Sequence, residues 1–162
     1  MRLIFKPFIN SSVLVLLLRV IIGIVFFMHG SQKVFGWFGG HGLEATINGF
    51  GKFGIPPFLA YTASLAEFLG GIFILLGFMT RIFALGIVID MAVAIFTVHL
   101  KNGFFAPTGF EFPLVLLTSA LGIFLLGAGT FSIDEFLAKR YRRTHVSEDG
   151  GLRTEYKANY RS

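Results

Sequence analysis

Arg19, Glu67 and Asp90 lie inside long apolar runs, where no water would satisfy a charge. A charge near the bilayer centre costs about 2.5–3.5 kcal/mol on insertion scales, so these three are expected to face inward as a buried polar network. Arg19 can pair with one acid, Glu67 or Asp90, leaving the other to a proton or a cation. Two roles fit such a network. It is glue between helices, or it is a ligand or proton site.

A second group gathers where the first apolar run ends. Phe26 to Gly42 reads FFMHGSQKVFGWFGGHG, placing His29, Lys33 and His41 among five glycines and the only tryptophan, Trp37. His99, Lys101 and Glu111 fall near the ends of later runs at the same expected depth. A neutral histidine accepts or donates, a lysine donates to a carbonyl and a glutamate takes a proton. With Phe and Trp for the ring, His29, Lys33, Trp37, His99 and Glu111 suit a flat, polar-headed ligand such as a quinone. The glycines at 36, 39 and 40 would let the loop fold over such a ligand as a lid. Each residue also has a plainer role: Trp37 as an interface aromatic, Lys33 reaching the headgroups, Glu111 capping its helix. Two histidines could ligate haem or a metal. No HxxE, HxxxH or carboxylate triad accompanies them, so neither haem nor metal is expected.

Helical geometry sorts these groups. At about 100° per residue, Phe26 and Lys33 share the face of Arg19, with His29 about 80° away. Ser64, Gly70 and Gly71 flank Glu67, small residues that let a neighbouring helix approach. Thr97 and Lys101 share the face of Asp90. His99, nine residues on, falls on the opposite face unless the helix widens before Leu100.

The elements that must position these groups are apolar. The 162 residues are 54% hydrophobic and 14% charged, with 21 Phe, where soluble domains carry about 25% charged residues. Four runs, about 12–32, 58–79, 81–101 and 110–131, each approach the roughly 20 residues needed to cross a bilayer. A soluble bundle would need polar outer faces, and these runs have almost none. The expected fold is all-α, an integral membrane four-helix bundle over residues 1–136. Residues 137–162 form a basic tail carrying +4 of the net +5, expected to be disordered or peripheral on its polar composition. Met79-Thr80-Arg81 reads as a tight turn, Lys33 to Pro57 as a long Gly-rich loop, and Asn102 to Gly109 as a shorter one. Arg2, Lys6, Arg81 and the tail fall on one side, which places both termini in the cytoplasm. No cysteine, P-loop or GxGxxG occurs, so thiol, disulfide and nucleotide chemistry have no foothold here. The basic charge is a local tail on an apolar body, not a nucleic-acid-binding surface.

The sequence resembles the DoxX family. The resemblance rests on HGSQKVFGWFGG after the first run and on LAEFLGGIFILLGFMTR from Leu65 to Arg81. It extends to MAVAIFTVHLKNGFF in the third run, GFEFPL at the start of the fourth, and Ser132 to Asp134. It spans about Leu14 to Asp134. By position it carries over Arg19, His29, Gly30, Lys33, Glu67, Gly70, Gly71, Thr80, Arg81, His99 and Glu111 as candidates without assigned roles. The resemblance implies a four-helix inner-membrane protein linked to redox work, some members being small subunits of a thiosulfate:quinone oxidoreductase. It also implies a partner protein, and animal relatives of similar shape act in membrane-protein assembly. Three functions therefore compete: a quinone-binding redox subunit working with a partner oxidoreductase, a non-enzymatic scaffold or assembly factor, and a small proton or solute conduit. Membrane lipid is the expected environment, with a protein partner or a homo-oligomer beside it.

Overall fold

The computed structural model describes residues 11–142, and all regular structure among them is helical. Helix α1 spans Ser11–Phe35, α2 Gly42–Gly51, α3 Pro57–Leu76, α4 Thr80–Ala94 and α5 Glu111–Leu126. A final helix, α6, covers 133–142. Helix α4 continues as a π-helical turn, Ile95–His99, and a 3-10 turn, Leu100–Asn102. The spans Ser11–Phe35, Pro57–Leu76 and Thr80–Asn102 are long and apolar enough to cross a membrane. Helix α5 is apolar but has 16 residues, about 24 Å of rise against a hydrocarbon core of about 30 Å. It ends early because Gly127 takes φ +81°, a conformation that breaks the helix. The expected Gly-rich loop from Lys33 to Pro57 holds α2, and residues 137–142 of the tail are helical. The rest of the tail lies outside the described residues.

The helices form a ring in which α1 packs on α3, α3 on α4, α4 on α5 and α5 back on α1. Helices α1 and α3 run antiparallel, with Arg19 beside Ile74, Gly23 beside Gly71, Gly30 beside Phe68 and Lys33 beside Glu67. Their contact is backbone to backbone. A Cβ on Gly30 would lie 2.3 Å from Phe68 N, and one on Gly71 2.3 Å from Phe27 N. Without a hydrophobic force between helices in lipid, such close van der Waals packing is the main attraction available. The core joins Ile22 and Phe26 of α1, Ile74 of α3, Ile87 and Met91 of α4, and Leu116 and Ile123 of α5. Large apolar side chains such as Ile21, Ile82, Phe96 and Leu125 point outward, which suits a lipid surround. The molecule is an integral membrane helical bundle.

The two ends differ. At one end the α3–α4 turn, residues 127–134 and α6 meet. There the Asp134 carboxylate accepts from Met79 N at 2.8 Å and Thr80 N at 3.0 Å, capping α4. Gly77, at φ +67°, ends α3 in the left-handed conformation. The other end holds the α1–α2 connection, α2, the π turn and the loop at 103–110.

Candidate functional site

Arg19 pairs with neither Glu67 nor Asp90. It is 1% exposed, and its guanidinium donates to four backbone carbonyls. These are Ile74 O at 2.9 Å, Leu75 O at 2.9 Å, Ala128 O at 2.7 Å and Phe131 O at 2.8 Å. Two of them belong to the last turn of α3, where the helix runs out of N–H partners for its carbonyls. The forked guanidinium is the side chain that can serve four acceptors at once. The expected single network is therefore two separate centres, with Arg19 at the tail end and the acids nearer the other.

Glu67 has a different partner. Lys33 Nζ lies 2.5 Å from Glu67 Oε1, and the Glu67 side chain is 3% exposed. Lys33 lies two heptads after Arg19, so both project from one face of α1 onto α3. Its ammonium also stands over the Phe50 ring of α2, 5.3 Å from the centroid. Asp90 of α4 completes the group, its carboxyl within hydrogen-bonding reach of Glu67. Glu67 Oε2 and Asp90 Oδ2 are buried and receive no hydrogen bond from any N–H or O–H of the described residues.

The π turn brings His99 to this group. A π turn holds one more residue than an α turn, which rotates the residues after it by about 100°. His99 thereby leaves the face opposite Asp90, and both line one cavity. Its Nδ1 lies 2.9 Å from Thr108 O. His29, also on the cavity wall, places Nδ1 2.8 Å from Val25 O. A carbonyl only accepts, so both Nδ1 atoms donate, and in the neutral ring each Nε2 is left as an acceptor.

The cavity measures about 740 Å³. It lies between α3 and α4 beyond the point where Phe73 stacks on Phe83, and reaches α1 and α5. Val25, Leu59, Ala63, Ile89, Val93, Phe112 and Leu116 make most of its wall apolar, and residues 50–56 supply Phe50, Phe53 and Pro56. Lys33, Glu67, Asp90, His29 and His99 supply the ionisable groups. Such a cavity, greasy with a few convergent polar groups, is the usual form of a small-molecule site.

Trp37 and Glu111 lie apart from it. Trp37 stacks on Phe35 at 4.8 Å and is half exposed. Glu111 accepts from Ala106 N at 2.8 Å, so it fixes the 103–110 loop and does not face His29 or Lys33. The glycine loop does not form a lid over the cavity either. Gly40 is pressed onto Gln32 at the end of α1, and residues 50–56 cover the cavity instead. Lys101 leaves the face of Asp90 and stands over Phe53. The Lys33–Glu67 pair was the relationship that sequence reasoning missed. The shared face of Arg19 and Lys33 admits this pair but does not choose between the two cations.

The family model described as DoxX matches residues 14–100. The chain belongs to the DoxX family. The model described as TQO small subunit DoxD matches residues 58–153. A Bacillus subtilis (strain 168) protein named "Putative oxidoreductase CatD" is 39% identical over 132 residues, covering 82% of this chain and 92% of the relative. An uncharacterized membrane protein of Mycobacterium tuberculosis is 33% identical over 139 residues, covering 78% of this chain and 82% of its own. An uncharacterized Haemophilus influenzae protein is 32% identical over 130 residues, covering 76% and 90%. No solved structure matches the chain. All five ionisable groups of the cavity, His29, Lys33, Glu67, Asp90 and His99, fall inside the DoxX match.

Proposed function

We propose that this DoxX-family protein is a redox-linked membrane subunit that binds a quinone in the α3–α4 cavity and works with a partner oxidoreductase. The observation that carries the reading is the cavity itself, an apolar chamber whose ionisable groups are Lys33, Glu67, Asp90 and two histidines. The wall fits a ring and an apolar tail. Lys33 donates to a ring carbonyl, the carboxyls exchange the protons that quinone and quinol differ by, and His29 or His99 relays them through Nε2. Two buried carboxyl oxygens without a donor are what an incoming hydroxyl would satisfy. In this reading the electrons come from the partner, and this chain supplies the protons and the binding site. The name of the Bacillus subtilis relative and the description of the DoxD model both support a redox role.

We further infer that the protein lies in the cell's inner membrane with both termini in the cytoplasm. Arg81 and the described basic residues of the tail, Lys139, Arg140 and Arg142, share one end of the bundle, the pattern of a cytoplasmic face. The test of the quinone reading is titration of the purified protein with a short-tailed quinone analogue, followed by fluorescence or calorimetry. Saturable binding that is lost in Lys33→Ala supports it. Binding indifferent to Lys33→Ala and Glu67→Gln sinks it.

A further inference from the structure

We infer that Glu67 and Asp90 hold a single proton between them, so that Lys33, Glu67 and Asp90 form an uncharged triad that stores one exchangeable proton beside the cavity. This goes beyond the quinone reading and does not need a quinone to be the occupant. Geometry carries it. The two carboxyl groups come from different helices and lie within hydrogen-bonding reach of each other. Neither Glu67 Oε2 nor Asp90 Oδ2 finds a donor among the described residues. Two carboxylates so placed repel, whereas a carboxylic acid and a carboxylate attract through the proton they share.

The charge balance gives the same answer. Lys33 brings one positive charge and makes its ion pair with Glu67. Two ionised carboxylates would leave the triad at −1 inside a membrane helix bundle, and two protonated ones at +1. One proton makes the sum zero, the state a low-dielectric setting tolerates best. Helix α1 presents Lys33 and His29, α3 presents Glu67, and α4 with its π turn presents Asp90 and His99. Helix α5 and residues 50–56 contribute only apolar side chains and backbone to the cavity. The 103–110 loop adds Pro107 and Gly109, which carry no charge, to the cavity wall. Among the described residues, no further charge lines the cavity to replace the proton.

The proton leaves or arrives as an O–H bond of one carboxyl breaks or forms, with His29 or His99 Nε2, or the cavity's occupant, as the other party. The structure thus assigns to the triad a one-proton donor and acceptor role.

Infrared absorption of the purified protein without added quinone tests this. At neutral pH the wild type should show the C=O stretch of one protonated carboxyl per chain, shifted in D2O. Asp90→Asn and Glu67→Gln should each abolish it. Lys33→Gln, which removes the balancing cation, should draw in a second proton and about double the band. A wild type without the band overturns the inference, as does a band that survives both acid substitutions or does not grow in Lys33→Gln. The wild-type and Lys33→Gln spectra decide the matter even where an acid substitution fails to fold. A protein that shows the band but binds no quinone analogue would sink the functional reading and leave the triad standing.

Discussion

Lys33 Nζ meets Glu67 Oε1 at 2.5 Å across the seam of α1 and α3, and the same ammonium stands over the ring of Phe50. The pair ties the end of the first span to the middle of the second. A hydrogen bond to a charged group contributes about 1.5–3 kcal/mol, roughly ten- to a hundredfold in affinity. Lys33→Ala should therefore weaken quinone-analogue binding by about that factor. Trp37→Ala and Glu111→Gln should leave it unchanged. A loss in Trp37→Ala equal to that in Lys33→Ala would move the site to the rim.

Arg19→Leu should lower stability severely. Four backbone carbonyls lose the guanidinium as a donor, and each buried acceptor left unsatisfied costs about 1–3 kcal/mol. Neither Glu67→Gln nor Asp90→Asn should restore it, because neither acid touches Arg19. Arg19→Lys should recover only part, since an ammonium has three donors and no fork. Unfolding in a mild detergent, followed by circular dichroism, reads all four variants. Rescue by either acid substitution would restore the single-network view.

The α1–α3 seam predicts a contrast between glycines. Gly71→Ala places a methyl 2.3 Å from Phe27 N and forces the helices apart, at a cost of about 1–3 kcal/mol. Gly122→Ala in α5 meets nothing within 4 Å and should be neutral or gain up to about 1 kcal/mol in helix propensity. Melting temperatures of the two variants, side by side, check the seam. Equal effects would mean that the spans do not pack as described.

Asp134→Ala should cost about 0.5–2 kcal/mol, the usual value of a lost N-cap, by freeing the N–H groups of Met79 and Thr80. Hydrogen exchange at those two amides should rise more than at the amides of α5. Uniform protection would show that the cap is dispensable.

Topology has its own check. Reporter fusions after Arg81 and after Arg143 should both read cytoplasmic, and one within 49–54 should read external. The opposite result would invert the molecule without altering the cavity.

Much of the fold was legible because bilayer physics is blunt. Four apolar runs of nearly spanning length admit few arrangements, and a tight turn joins the second and third as expected. It falls at 77–79 and not at Met79-Thr80-Arg81, because Gly77 ends α3 early and Thr80 already opens α4. The early end of α5 was hidden, because Gly127 and Gly129 act through backbone angles that composition does not announce. The site was harder. His29, Lys33, Glu67, Asp90 and His99 were all singled out, but their partners were not. Lys33 and Arg19 share a face of α1, so the sequence could not say which of them an acid would meet. The π turn settles where His99 goes, and no residue in IFTVH marks it in advance. Trp37 and Glu111 drew notice by their chemical type, and local contacts with Phe35 and Ala106 took them elsewhere.

The four carbonyls around Arg19 also bear on how the chain is made. Its first two partners, Ile74 and Leu75, are synthesised 55 and 56 residues after it. The last two, Ala128 and Phe131, come 109 and 112 residues later. Throughout that interval the first span carries a charge whose solvation shell does not yet exist. The insertion machinery must hold this span in a watery groove, or let it slide toward the surface, until the last helix emerges. A nascent chain stopped before Ala128 lacks half of that shell, so quality control can recognise it as unfinished from a single arginine.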